Sequence, residues 1–169
     1  MIRSKGYLLT GVLCLVLLLS GCTVMKGNKN APSAADQPST VRLTLLAEPD
    51  INPNKKGEPT PTEIAVVYLS DDSKLLAADY DQLGSKKLKK TLSKNYIDHQ
   101  EYTLLPNQYK PLLPIELDEK NSYLGVVAYY ANANRTEWKK IIKINGTGHS
   151  YHVLVHLRSN DIELRKEEE

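Results

Sequence analysis

The chain has 169 residues, 22 basic and 20 acidic side chains, a formal net charge of +2, 41% apolar residues and two cysteines. That length allows one domain with a sizeable core. Both excess charges are Arg3 and Lys5, so the remainder is balanced and gives no reason to expect nucleic acid as a partner.

Arg3 and Lys5 precede a run from Leu8 to Leu19 that is broken only by Thr10 and Gly11. The run falls short of the about 20 apolar residues of a transmembrane helix and suits the h-region of a secretory signal. It ends in Leu19-Ser20-Gly21-Cys22. This resembles a bacterial lipobox, in which the cysteine is acylated and cleavage leaves it as the first residue. Residues 1–21 are therefore expected to be removed and Cys22 to carry lipid. Cys14 leaves with the signal, so neither a free thiol nor a disulfide is expected, and an apolar core must supply the stability. Two or more acyl chains anchor a protein stably, whereas one does so only marginally. Thr23 follows Cys22. An Asp there tends to retain enteric lipoproteins in the inner membrane, so the expected location is the outer membrane, facing the periplasm.

Residues 22–40 read as a lipidated N-terminus and flexible tether, rich in Gly, Asn, Ala, Pro and Ser, with little to bury. About 18 such residues reach roughly 60 Å when extended and about 23 Å as a coil. From Val41 to the end of the chain the dominant period is 2. Val41, Leu43 and Leu45 mark a first strand, and Ile64, Val66 and Tyr68 a second. Tyr102 and Leu104 mark a third, and Leu112 to Leu117 a fourth. Pro111 and Pro114 remove ladder donors, which assigns the fourth strand to an edge. Tyr123 to Tyr130 is apolar on both faces and reads as a central strand. Trp138 to Ile144 and His149 to Leu157 follow, and Asp161 to Arg165 adds a short edge strand. Turn residues separate them at Pro106-Asn107-Gln108, Asp118 to Asn121 and Asn145-Gly146-Thr147-Gly148, the last read as a hairpin turn.

Between about 72 and 94 the period changes. Leu75, Leu76, Asp79, Tyr80 and Leu83 fit a helical stripe that Gly84 can end. Ser85 can cap a second helix carrying Leu88 and Leu92. The expected fold is mainly β: a two-sheet antiparallel sandwich over residues 41–169, with a short helical insertion between strands two and three. Up-and-down parity then brings together the loops after strands one (about 48–61), three (106–109) and five (131–136). The insertion and the other turns fall at the opposite end.

The chemistry-bearing residues form no convincing catalytic set. His152 and His156 share a strand face but stand about 13 Å apart, too far to hold one metal ion. Ser150 near His149 and His152 lacks an orienting acid. Gly146-Thr147-Gly148 lacks the lysine and following helix of a phosphate loop. The basic run Lys86-Lys87-Leu88-Lys89-Lys90 reads as a solvated helix face. The ten tyrosines, with no phenylalanine, suit core, rim and interface positions.

Five segments together carry a family resemblance. The lipobox comes first. Asn52-Pro53-Asn54-Lys55-Lys56-Gly57-Glu58-Pro59-Thr60-Pro61 resembles the Asn-Pro-(few)-Gly-Arg-Pro-Ser-Pro motif of the TssJ family, the outer-membrane lipoproteins of type VI secretion systems. Leu104 to Gln108 is similar to its Leu-x-Pro-Gly-Glu turn. Tyr123-Leu124-Gly125-Val126-Val127-Ala128 matches its central strand, and Arg135-Thr136-Glu137-Trp138-Lys139 its Arg-x-x-Trp-Arg segment. Glu58, Thr60 and Asn107 depart from the pattern at positions that bear on partner specificity. The resemblance implies a transthyretin-like sandwich without catalysis, cofactor or small-molecule substrate. It also implies an anchor that grips the periplasmic C-terminal domain of TssM, an inner-membrane protein, through the loop between the first two strands.

On that basis the expected contact residues are Asp50, Asn52, Pro53, Asn54, Lys55, Lys56, Gly57, Glu58 and Pro59. Parity adds Asn107, Gln108, Asn132, Asn134 and Arg135. Prolines 49, 53, 59 and 61 restrict the unbound loop, which lowers the ordering cost of binding. Asn52-Pro53 and Pro59-Thr60-Pro61 could instead merely shape a turn into an edge strand. A lipoprotein that binds a small ligand or inhibits another protein on a similar sandwich is the alternative, and a hydrolase is a third.

Overall fold

The computed structural model describes Ser33–Glu169; the signal, Cys22 and most of the expected tether lie outside the described residues. The tether's last residues are not free chain. Ala34–Asp36 form a 3-10 turn, Pro38 bridges to Thr147, and Ser39 is fully buried, so the ordered domain begins several residues before Val41.

Alternation builds the first layer. In β1 (Thr40–Ala47), Val41, Leu43, Leu45 and Ala47 are buried, and in β8 (Ser150–Leu157) so are Tyr151, Val153, Val155 and Leu157. Their sheet runs in the order β4-β1-β8-β9, where β4 is Tyr109–Pro111 and β9 is Ile162–Glu168, and β5 (Ile115–Glu116) also pairs β1. The second sheet has the order β3-β2-β6-β7, from Tyr96–Leu104, Thr62–Leu69, Tyr123–Ala128 and Lys139–Lys143. The sheets close on one another over a core that includes Leu45, Ile64, Val66, Leu124, Val126 and Val155.

The prolines act as expected. Pro111 sits in β4, which pairs only with β1, and Pro114 separates β4 from β5, so the edge is broken into two short pieces. β6 is internal, as its two apolar faces require. The final strand is longer than Asp161 to Arg165: β9 pairs with β8 as far as Glu168.

Three expectations need correction. The sandwich is not wholly antiparallel, because β1 and β8 run parallel from Thr40↔Ser150 to Ala47↔Leu157. The cause is the link from Asn145 to Gly148, which is not a hairpin: it carries the chain from β7 in one sheet to β8 in the other. β8 therefore enters at the end where β1 begins. The crossing is tight, since a Cβ on Gly146 would lie 2.2 Å from the Asp118 carbonyl oxygen.

The insertion is not two regular helices. α1 (Ser73–Ala77) and α2 (Leu88–Leu92) have five residues each, joined by 3-10 turns at Tyr80–Gln82 and Ser85–Lys87. The chain turns extended at Ala78 and Asp79, with ψ of 140° and 161°. Leu76 is consequently 58% exposed while Leu75 and Leu83 are buried. Ser85 starts a 3-10 turn rather than capping α2.

The insertion also does not occupy the opposite end. It covers the outer face of the second sheet, where Leu75, Ala78, Leu83, Leu88 and Leu92 pack on Ala65, Val67, Leu69 and Val127. A Cβ on Gly125 would lie 2.4 Å from Leu75 Cδ2, so the glycine leaves the space that the Leu75 side chain fills against β6. The Lys139 ammonium, from β7, donates to the carbonyls of Leu75, Leu76 and Ala78 at 3.0, 2.7 and 2.7 Å, satisfying the end of α1.

Candidate partner-binding site

The connection from β1 to β2, residues 48–61, is long for a β-sandwich loop and is held from within. Ile51 is fully buried and plugs the end of the main core. Asn52 follows with φ of +48°, a left-handed conformation that Asn tolerates better than most side chains. Both ends of its amide are used: Nδ2 donates to the Pro61 carbonyl at 3.1 Å, and Oδ1 accepts from the Ala131 N–H at 2.7 Å. The Thr60 hydroxyl donates to the Asn52 carbonyl at 2.6 Å. Asn52 thus pins both limbs of the loop to each other and to the segment after β6.

The tip is closed by Asn54. Its Oδ1 accepts from the N–H groups of Lys56 (2.8 Å) and Glu58 (3.0 Å), and its Nδ2 donates to the Glu58 carboxylate at 2.9 Å. Gly57, at φ +81°, completes the turn. Lys55, Lys56, Gly57, Glu58 and Pro59 are exposed on this pre-shaped tip.

Three further segments meet it. After β3, Asn107 takes φ +61° and its N–H donates to the Glu48 carbonyl at 3.1 Å, while the Ala47 N–H donates to the Gln108 carbonyl at 2.8 Å. After β6, residues 131–136 include a 3-10 turn, Ala133–Arg135. The β8–β9 turn joins them: the Ser159 hydroxyl donates to the Asp50 carboxylate, and the Glu137 N–H donates to the Asn160 carbonyl at 2.9 Å. The buried Tyr130 hydroxyl lies 3.0 Å from the Arg158 carbonyl and 2.8 Å from that of Asp161, sharing its one proton between them. Burial pushes that phenol well above its ordinary pKa, with the nearby Asp161 and Glu48 acting in the same direction, so it stays a donor.

The β1–β2 loop, the segment after β6 and the β8–β9 turn together line a basin of about 700 Å³. Of the expected residues, Asn52, Pro53, Asn54, Lys55, Gly57, Asn132 and Arg135 line it. Asp50, Lys56, Glu58, Pro59 and Asn134 belong to the same segments but do not line it, and neither do Asn107 and Gln108, which are tied to the end of β1. The Gln108 amide is already used, its Oε1 accepting from the Leu105 N–H at 2.8 Å. Four lining residues, Tyr130, Thr136, Ser159 and Asn160, were not anticipated. The signal for two of them was present, because the parity that groups loops one, three and five also groups loop seven, which is Arg158 to Asp161.

Beside the basin, Arg158 is surrounded by acids: Asp161 at 3.7 Å, Glu48 at 3.9 Å and a contact with Glu163. His156 stands between Glu48 at 3.3 Å and Glu163 at 3.4 Å. His152 Nε2 is 2.9 Å from the Thr44 hydroxyl. No cluster of three or more His, Cys, Asp or Glu side chains suited to a metal ion occurs among the described residues, and no helix there is long and apolar enough to cross a membrane.

A two-sheet scaffold that presents three pinned loops around a basin has the build of a loop-presenting β-sandwich. Residues 39–160 match the family model of the type VI secretion lipoproteins (VasD, EvfM, TssJ). The chain belongs to that family. Its fold is similar to the crystal structure of the lipoprotein TssJ1 from Pseudomonas aeruginosa, at 26% identity and a TM-score of 0.72, over 77% of this chain and 97% of that one. It is also similar to Serratia marcescens Lip, a membrane-bound component of the type VI secretion system, at 22% identity and a TM-score of 0.65, over 77% and 98%. A chain in a structure described as the TssM C-terminal domain (869-1107) from EAEC matches at 19% identity and a TM-score of 0.58, over 75% and 97%. No curated protein sequence matches significantly.

Proposed function

We propose that this lipoprotein is a non-catalytic anchor of a type VI secretion complex, fixed by lipid on Cys22 to the outer membrane and facing the periplasm. Its loop end binds the periplasmic C-terminal domain of TssM. The observation that carries this reading is the convergence of three loops, 48–61, 131–136 and the β8–β9 turn, on Asn52 and Tyr130. A surface whose polar groups are satisfied internally is ordered before binding, so less conformational entropy is lost on contact. The fold match to a chain in a structure described by a TssM C-terminal domain supports the choice of partner. Lipidation and location rest on the lipobox and the family.

The test uses the lipoprotein purified in detergent and the purified periplasmic C-terminal domain of the cognate TssM. Replacing Asn54 to Glu58 with a Gly-Ser linker of equal length spares Ile51 and Asn52, which hold the core and the loop base. The expected result is a one-to-one complex that the replacement abolishes while the thermal midpoint barely moves. Unaltered binding would sink the loop assignment. Separately, Cys22→Ala should leave the outer-membrane fraction; a variant that still pellets there refutes the lipid anchor.

A further inference from the structure

The charges of the basin are one-sided. Its only charged lining residues are Lys55 and Arg135, and no carboxylate lines it. Among the described residues, neither of these cations nor the adjacent Lys56 has a carboxylate within 4 Å. Two acids of the same loop lie outside the lining: Asp50, which accepts from the Ser159 hydroxyl, and Glu58, which accepts from Asn54 Nδ2 at 2.9 Å. Arg158, at the same end of the molecule, is by contrast neutralised by Glu48, Asp161 and Glu163. The fold has therefore paired one arginine and left the other open on the concave surface. The remaining wall consists largely of amides and hydroxyls, including Asn132, Thr136 and Asn160. Pockets for small apolar ligands are lined mostly by hydrophobic side chains, and this one is not.

We infer that the basin receives an acidic segment of the partner protein, with carboxylates seated between Lys55 and Arg135. The inference rests on the proposal that the loop end is the binding surface. Arg135 offers a planar fork that matches a carboxylate with two parallel hydrogen bonds, and Lys55 offers a point charge from the opposite limb. The Asn132 and Asn160 amides can hold the backbone or the second carboxylate oxygen. Such an interface gains association rate from charge steering and weakens with salt.

The experiment measures binding of the same detergent-purified lipoprotein to the same TssM domain for Lys55→Glu, Arg135→Glu and the double variant. Lys120→Glu, on the exposed turn at the far end of the sandwich, serves as control. Each reversal should weaken binding by about tenfold and the double variant by more, mainly through slower association, while the control stays unchanged. The wild-type affinity should fall as salt rises, and that of the double variant should fall less. Wild-type affinity and salt dependence in the double variant, with binding still lost on replacing Asn54 to Glu58, would overturn the acidic-segment inference and leave the loop assignment standing. Binding that survives the replacement as well overturns both. Both reversed residues are exposed, so the folded state can be verified by circular dichroism for every variant.

Discussion

The outer face of the second sheet and the loop end of the sandwich are both decorated by irregular chain, yet they are built on opposite terms. The insertion buries Leu75, Leu83, Leu88 and Leu92 against the sheet, and its carbonyls are satisfied by Lys139. At the loop end Ile51 and the Tyr130 ring enter the core, and the rest of the chain is ordered by Asn52, Asn54 and the Tyr130 hydroxyl bonding backbone. Hydrogen bonds can hold a loop in place while its surface remains wet and open. The contrast teaches that apolar burial closes a surface, whereas internal polar bracing prepares one for recognition.

Leu75→Ala should produce the largest effect, because it empties the contact between α1 and Gly125. A loss of about 2–5 kcal/mol is expected from urea unfolding, with the affinity of the folded fraction for the partner unchanged. A small loss would mean that the insertion is a loose cover, and the contrast would fail. Tyr130→Phe comes next. Removing the hydroxyl takes a donor from the Arg158 carbonyl and leaves that of Asp161 only the Arg158 N–H, for about 1–3 kcal/mol, and loosens the β8–β9 turn. This variant should lower both stability and partner affinity, which sharpens the claim that bracing and binding are coupled at this end.

Asn54→Ala separates the two quantities. It acts on exposed chain, so global stability should stay within about 0.5 kcal/mol, while isothermal titration should show affinity falling because the tip must be ordered on contact. An unchanged affinity would show that the tip is not used in its closed form.

The smallest effect concerns acid. The Glu163 carboxyl is held below its ordinary pKa chiefly by the hydrogen bond from Arg165, against some opposing burial, with Arg158 adding to the lowering. The folded state then binds fewer protons than the unfolded one. Its stabilisation is complete above the ordinary carboxyl range and is lost as pH falls through the lowered folded value. Glu163→Gln should therefore flatten the decline of the thermal midpoint below about pH 5. An identical acid profile would mean that the arginine contacts have no weight in solution.

Much of the candidate site was legible because its elements are local. Four prolines, Asn52 and Gly57 advertise a shaped loop, and Asn107 sits in a turn that needs a left-handed residue. The division of labour within the loop was not legible. Sequence treats Asn52 and Asn54 as equivalent exposed amides. The structure buries Asn52 as a bracket to Ala131, seventy-nine positions away, and uses Asn54 to close the tip. Tyr130 and the β8–β9 turn were missed for a related reason: their roles depend on one hydroxyl reaching two distant carbonyls.

By itself the sequence determined the strand alternation, the edge position of the proline-bearing fourth strand, the buried character of Tyr123 to Ala128 and the family. These follow from side-chain period, missing N–H donors and residue order, all properties of neighbouring positions. Only the tertiary structure decided that β8 lies parallel to β1, that the insertion covers a face rather than an end, and that no carboxylate lines the basin that Lys55 and Arg135 share. Those outcomes depend on which sheet each strand joins and where long-range hydrogen bonds bring loops together, and no local pattern of residues encodes that choice.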